Sequence, residues 1–227
     1  MKNKIVEFLS KNDEYLKDFI TRSTYHSNGI EGSTLTFAET YAILYNDNSF
    51  KISGREPREI YEAINHKKAL NFILERLEAE ELVIDERLLK EINRTINQDI
   101  KDTEGYRKVQ VFIKGSEHIP PEPEKINNLM QYFIYNYQND QNELFYKIAF
   151  YHIEFEAIHP FEDGNGRTGR ILMNCELLKN GMAPIVIEKE DRAKYFEFLR
   201  QKDATDFGKW LSELREKEVE RMKKFGF

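Results

Sequence analysis

The chain holds one cysteine, Cys175, so an internal disulfide is excluded, and its place among apolar residues of a predicted helix marks it as a small core residue. Long hydrophobic runs are lacking as well. The most apolar stretches, such as Ala183–Ile187 with its proline, fall far short of the roughly 18 residues that a membrane span requires, and no bilayer crossing is expected. The N-terminal sequence MKNKIVEFLSKNDE reaches Glu7 before an apolar segment of signal-peptide length forms, so the expected location is the cytoplasm. Positive charge is not in excess: a net charge of -6 disfavours nonspecific nucleic-acid binding and leaves protein partners and small ligands. With 11 glycines and 6 prolines among 227 residues, 40% hydrophobic and 33% charged, the chain is neither fibrous nor disordered but globular and rich in helix. One domain is expected over residues 1–227.

No repeat or low-complexity segment occurs, and glycine and proline punctuate predicted helices. Ile5, Phe8, Leu9, Leu16, Phe19 and Ile20 form the apolar face of a first helix over residues 5–20. A second, shorter helix leads to Glu31, where Gly32 can take the left-handed conformation that ends it. Thr36 and Glu39 have the spacing of a capping box. Pro57 suits the first position of a helix that reaches Leu77, and another runs from Asp85 to about Ile100. Between Val109 and Ile119 the period changes: Val109, Val111 and Ile113 alternate with Gln110 and Phe112, and Lys114-Gly115-Ser116 supplies a turn, predicting a small β-hairpin. Pro123 can start a further helix. From Leu144 the spacing carries one helix face from apolar residues into His152, Glu156 and His159, and Pro160 stops it. Another helix begins near Arg167, and two more follow Asp191 with Trp210 and Leu214 as anchors.

The segment from His159 to Arg170 carries the chemistry. Two glycines around Asn165 let successive backbone N–H groups point into one concavity, and the next helix adds the positive end of its dipole. Arg167 and Arg170 follow three positions apart on that helix, within reach of one polyanion. Asp163 places a carboxylate beside it that suits a Mg²⁺ keeping several waters and sharing phosphate oxygens. His159 offers a side chain able to remove a proton near neutral pH. Other motifs fit less well. Gly164 to Gly169 matches G-x-G-x-x-G, yet the dinucleotide fingerprint needs a preceding strand, and a helix is predicted there. A P-loop needs Lys and Ser or Thr where Arg170 and Ile171 stand, and an EF-hand needs acids at Phe161 and Leu172. A zinc site from His152, Glu156 and His159 would leave the Gly-Arg loop unexplained, and His152 reads more simply as a hydrogen-bonded core histidine.

The run from His159 to Arg170 resembles the signature of the Fic family, H-x-F-x-D/E-G-N-G-R-x-x-R, at every specified position. Gly105-Tyr106-Arg107, Val109-Gln110-Val111 and Ile119-Pro120-Pro121 are similar to the family's flap, and Ser27 to Gly32 resembles its S/T-x-x-x-E-G/N inhibitory motif, so the resemblance extends over roughly residues 27–206. It implies that His159 is the general base, that Asp163 holds Mg²⁺, and that Gly164, Asn165 and Gly166 form the anion nest for ATP. Arg167 and Arg170 would hold the outer phosphates and Phe161 would prop the loop. Tyr195 falls where the family places an aromatic near the nucleotide, and Asp203 replaces a common asparagine. Ser27 and Glu31 would form a brake, and Val111, Phe112 and Ile113 would dock the target by strand addition. Taken alone, Glu31 is simply a solvated helix-terminal carboxylate.

The pattern predicts a mostly α fold of about eight helices with one small β-hairpin, and the resemblance makes it a Fic-type bundle with that hairpin as its flap, an inhibitory helix at about 21–32 and a C-terminal helical extension. The activity it implies is transfer of AMP from ATP to a Ser, Thr or Tyr hydroxyl of a protein, itself included; retention of Asp163 and Gly164 favours AMP over the family's kinase-type and phosphocholine chemistries. Homo-oligomerisation stays open, and no nucleic acid or membrane is expected as partner. Two alternatives remain from other classes: a hydrolase that removes AMP with Glu31 orienting water, and a nucleotide-binding interaction module held shut.

Overall fold

The computed structural model describes residues 3–47, 53–102, 104–113 and 116–227. Among these residues lie ten α-helices: α1 (Lys4–Lys11), α2 (Asp13–Ile30), α3 (Phe37–Tyr45), α4 (Pro57–Glu78), α5 (Glu86–Ile96), α6 (Pro123–Asn139), α7 (Leu144–Ile158), α8 (Asn165–Lys179), α9 (Arg192–Gln201) and α10 (Ala204–Lys224). A 3₁₀ turn, Lys189–Asp191, precedes α9.

The expected count of about eight falls short, and the N-terminal boundaries differ. The predicted helix over 5–20 breaks at Asn12, whose Oδ1 accepts from Tyr15 N at 2.9 Å and caps α2, while its Nδ2 donates to Phe225 O at 2.7 Å. The apolar face runs straight through this break, so periodicity alone conceals it. The short helix expected at 21–32 is the second half of α2. Its buried side chains there are Thr21, Ser23, Thr24, Ser27, Asn28 and Ile30, a set with a single apolar member and so no apolar stripe to read. Other signals hold. The Thr36–Glu39 capping box forms, Pro57 and Pro123 open α4 and α6, and Gly32 has φ +105° just past α2. The helix predicted to reach Ile100 ends at Ile96, and Asp99 with φ +60° turns the chain away.

The β-hairpin between Val109 and Ile119 is not formed: no strand occurs among the described residues, and the predicted turn at Lys114 and Gly115 lies outside them. The two arms do run side by side. Gln110 Nε2 donates to Pro120 O at 2.9 Å, and Arg107 donates to the carbonyls of Val109 and Pro121. A ladder needs backbone donors on both arms, and Pro120 and Pro121 have none, so side chains make the bonds instead.

Helices α7 and α8 run through the middle of the molecule. Tyr151, Phe155 and Ile158 of α7 with Ile171, Leu172 and Cys175 of α8 join one apolar cluster, and Ile148 and Ile153 with Met173 and Leu177 join another around Phe207, Trp210 and Leu211. Every α8 side chain from Arg167 to Leu178 is buried, so two arginines at its start are carried into the interior. Helix α2 is fixed at both ends. Arg22 donates to Glu218 and Arg221 to Asp18, tying α2 to α10, and Arg192 Nε donates to Ile30 O at 2.8 Å where α2 ends.

Candidate active site

The site is built where α7 ends and α8 begins. His159 caps α7 with φ +50°, and Arg107 fixes the exit by donating from Nε to His159 O at 2.8 Å and from its backbone N to Pro160 O at 2.9 Å. Phe161 is buried against Tyr106 and Phe155. The Asn165 amide closes the loop in both directions: Oδ1 accepts from Phe161 N at 2.9 Å and Nδ2 donates to Phe161 O at 2.9 Å. Only an amide supplies both halves of that pair. Gly164 has φ +76°, a region glycine enters without strain, and a Cβ there would stand 3.0 Å from Asn97 Nδ2. Asn93 and Asn97 in turn donate to Asp163 O at 2.8 and 3.2 Å. No side chain caps α8. Its first-turn N–H groups have no intrahelical partners and form, with the helix dipole, a binding place for an anion.

The two arginines of α8 enter different ion networks. Arg170 Nη2 donates to Glu31 Oε1 at 2.7 Å and to Ser27 O at 3.0 Å, Nε donates to Ser27 Oγ at 3.0 Å, and Nη1 reaches Tyr195 Oη at 3.4 Å. Arg167 lies 3.2 Å from Glu62 Oε1 and 3.4 Å from Asp163 Oδ1. Glu62 also accepts from Arg58 Nε at 2.9 Å, and Arg58 Nη2 donates to Asp163 Oδ2. Burial pushes the Asp163 carboxyl up, but Arg167, Arg58 and the Gly164 N–H outweigh it and hold the group below its ordinary range.

Glu31 lies over the anion loop itself. A methyl group at Gly166 would collide with Glu31 Oε1 and come within 2.9 Å of Arg170 Nη1. The carboxylate therefore occupies space directly beside the first-turn N–H groups, where an anionic ligand would approach. Glu156, one α7 turn before the loop, is pushed up to about 8 by burial and by Glu31, against the pull of Arg170. Burial thus favours the protonated form of Glu156 at neutral pH.

His159 is pulled down to about 4, first by burial and then by the Arg107 and His118 charges, against Glu156 O and Glu31, which raise it. It is therefore an unprotonated imidazole at neutral pH. Its Nδ1 stands 3.4 Å from Glu156 O, so a proton on Nδ1 leaves the Nε2 lone pair to act as base. A neutral base beside an anion-binding loop suits activation of a hydroxyl for attack on a phosphate ester.

A family model for Fic/DOC proteins matches residues 83–177, which include the whole loop. The solved structure of a Fic-domain signaling protein from Bacteroides thetaiotaomicron is similar with a TM-score of 0.80 and 25% identity, covering 96% of this chain and 91% of that one. Residues 83–177 belong to the Fic/DOC family. Fic-1 from C. elegans, as a fragment carrying a substitution, superimposes with a TM-score of 0.78 at 26% identity over 90% of this chain and 62% of its own. Among curated relatives, the protein adenylyltransferase Fic of Drosophila grimshawi is 32% identical over 212 residues, 90% of this chain and 43% of that protein. The counterpart from Nematostella vectensis is 34% identical over 198 residues, 84% and 45% respectively. The chain thus spans less than half the length of these relatives.

Of the residues that the Fic resemblance singled out, the structure brings His159, Asp163, Gly164, Asn165, Gly166, Arg167, Arg170, Ser27 and Glu31 to one loop. Tyr195 is placed behind this loop. It is 1% exposed and its Oη lies 2.8 Å from His152 Nε2, so it backs Arg170 and presents no free face. His152 is the core histidine expected, buried and held near 3 by burial and Arg170. Asp203 caps α10, its Oδ1 accepting from Asp206 N at 3.0 Å, which leaves one oxygen for another donor. In the irregular flap Phe112 is 76% exposed, between partly buried Val111 and Ile113.

Five contributors to this Fic site were not visible as such: Arg58, Glu62, Asn93, Asn97 and Arg107. Asn93 interrupts the apolar stripe Leu89, Ile92, Ile96 of α5, a signal that a buried polar partner is needed. Arg58 sits in the first turn of α4, where the helix dipole disfavours a cation, so something acidic must hold it there.

Proposed function

We propose that this chain is a protein adenylyltransferase, moving AMP from ATP onto a Ser, Thr or Tyr hydroxyl, with residues 1–227 acting as one catalytic domain and α2 as its inhibitory helix. One observation carries the reading: His159 caps α7 at the loop that opens the uncapped N-terminus of α8, with Arg167 and Arg170 on that helix, and burial favours its neutral form. The names of the Drosophila and Nematostella relatives agree with it.

In the proposed reaction the target hydroxyl oxygen attacks the α-phosphorus in line, His159 Nε2 takes its proton, and the bond to the departing pyrophosphate breaks. Gly164, Asn165 and Gly166 present backbone donors to the phosphates, and Arg167 and Arg170 hold the outer ones. Positioning and fixed charge supply most of the rate, since the protein forms no covalent bond. Mg²⁺ fits this donor set, because Asp163 Oδ2 already binds a cationic group, the Arg58 guanidinium. Bound there, the ion would neutralise charge on the α- and β-phosphates while drawing its other ligands from water. Val111, Phe112 and Ile113 would receive an extended segment of the target; the 76% exposure of Phe112 suits such contact. A reduced compartment such as the cytoplasm suits a chain with a lone buried cysteine.

Glu31 gives the site its off state in this proposal, because an arginine paired with a carboxylate cannot offer the same face to a γ-phosphate. The same carboxylate over Gly166 also favours a second activity, removal of AMP, in which it would orient water. The test of the main reading is His159→Ala, made together with Glu31→Gly: transfer should vanish while ATP binding persists, since a base is removed and no phosphate contact is lost. Transfer at the rate of the Glu31→Gly protein would refute the role of His159.

A further inference from the structure

The loop holds two ion pairs of opposite sense. At one end the buried Arg170 is held by Glu31, and at the other the carboxylate of Asp163 is held by Arg58. Each partner comes from outside the loop, Glu31 from the end of α2 and Arg58 from the first turn of α4. Each carries the charge that a metal–nucleotide complex would bring to that end: negative against Arg170, positive against Asp163.

We propose that Arg58 is a positioning residue that occupies the cation place at Asp163 and must be displaced when a divalent cation arrives with nucleotide. The inference rests on Asp163 being the metal-binding carboxylate. Three groups face Asp163: the Gly164 N–H at 2.7 Å and Arg167 Nη2 at 3.4 Å on Oδ1, and Arg58 Nη2 on Oδ2. Arg167 is 3% exposed and anchored beside Glu62, so it cannot leave without unpairing a buried charge. The Arg58 side chain, by contrast, is 56% exposed and retains a 2.9 Å bond from Nε to Glu62 Oε1. It can release Asp163 and stay tethered at the rim. Asp163 Oδ2 is thus the exchangeable position, and the Arg58 pair there is one that any incoming cation must displace.

An exposed ion pair contributes up to about 1 kcal/mol, and the upper half of that range corresponds to roughly two- to fivefold tighter cation binding on its removal. The probe is Mn²⁺, a hard cation of similar ligand preference, titrated into the full chain saturated with an ATP analogue uncleavable at the α-phosphorus. Free Mn²⁺ is read by electron paramagnetic resonance. Glu31→Gly serves as the parent, so that the nucleotide site is open in every variant. Arg58→Gln should bind Mn²⁺ about two- to fivefold more tightly than the parent, and Arg58→Lys, which keeps the charge, should return to the parent value. Weaker or unchanged binding in Arg58→Gln, with binding still dependent on Asp163, overturns this inference alone. Unchanged Mn²⁺ binding in Asp163→Asn would instead remove the metal role of Asp163 and take the inference with it. A residue that merely supported the fold would not raise cation affinity when removed.

Discussion

Replacing Glu31 by glycine should open the nucleotide site without disturbing the loop. The change deletes the 2.7 Å bond from Arg170 Nη2, while the two Ser27 bonds at 3.0 Å keep the guanidinium oriented. It also clears the carboxylate from above Gly166. A charge-assisted bond contributes about 1.5–3 kcal/mol, which corresponds to roughly ten- to a hundredfold in productive binding of a γ-phosphate. The Glu31 side chain is 37% exposed, so screening by water places the expected effect toward the lower end. Glu31→Gln, which keeps the shape and loses the charge, should fall between wild type and glycine. Arg170→Ala frees the same space but deletes the anchor and should not activate. Calorimetric titration with ATP and the initial rate of labelling from α-labelled ATP together read the effect. Equal affinity and equal rate in wild type and Glu31→Gly would show that the ion pair does not compete with nucleotide, and the reasoning would fail.

Three more outcomes follow from the same geometry. Asn165→Asp keeps the acceptor for Phe161 N but faces Phe161 O with no donor, so it should cost about 1–3 kcal/mol and lower Tm by at least about 2 °C; an unchanged melting curve would mean that the reciprocal pair does not hold the loop. Because burial lowers His159 from 6.5 to about 4, the base form persists as pH falls through 6.5, and the acid limb of kcat/KM in Glu31→Gly should lie well below that value; a limb at 6.5 would indicate a solvated or different base. Asp203→Asn retains the cap on Asp206 N and gains a donor, so it should change ATP affinity without changing which phosphate is attacked, and identical ATP titrations would place Asp203 outside the nucleotide site.

The loop was legible in the sequence because its residues meet stringent local demands. Pro160 ends a helix, Gly164 needs positive φ, and Asn165 must donate and accept at once, so each leaves a mark in the residue type itself. The boundaries at Asn12 and Ile96 were not legible. Asn12 breaks a helix within a continuous apolar face by bonding to Phe225, a partner far away in sequence. The hairpin misled for a related reason. Alternation along residues 109–113 satisfies one strand, but pairing depends on the opposite arm, where Pro120 and Pro121 remove the donors. The supporting shell of Arg58, Glu62, Asn93 and Asn97 converges on Asp163 from two separate helices, and only the packing of α4 and α5 against α8 brings it there.

The central claim is that the group transferred is AMP and that His159 starts its transfer. The direct measurement incubates the Glu31→Gly protein, with and without His159→Ala, with ATP labelled at the α- or the γ-phosphate. Label retained on protein is then counted, and pyrophosphate release is followed in parallel. The account predicts α label on protein with matching pyrophosphate, no γ label, and neither product once His159 is replaced. Protein-bound γ label, or α label that survives His159→Ala, would contradict it.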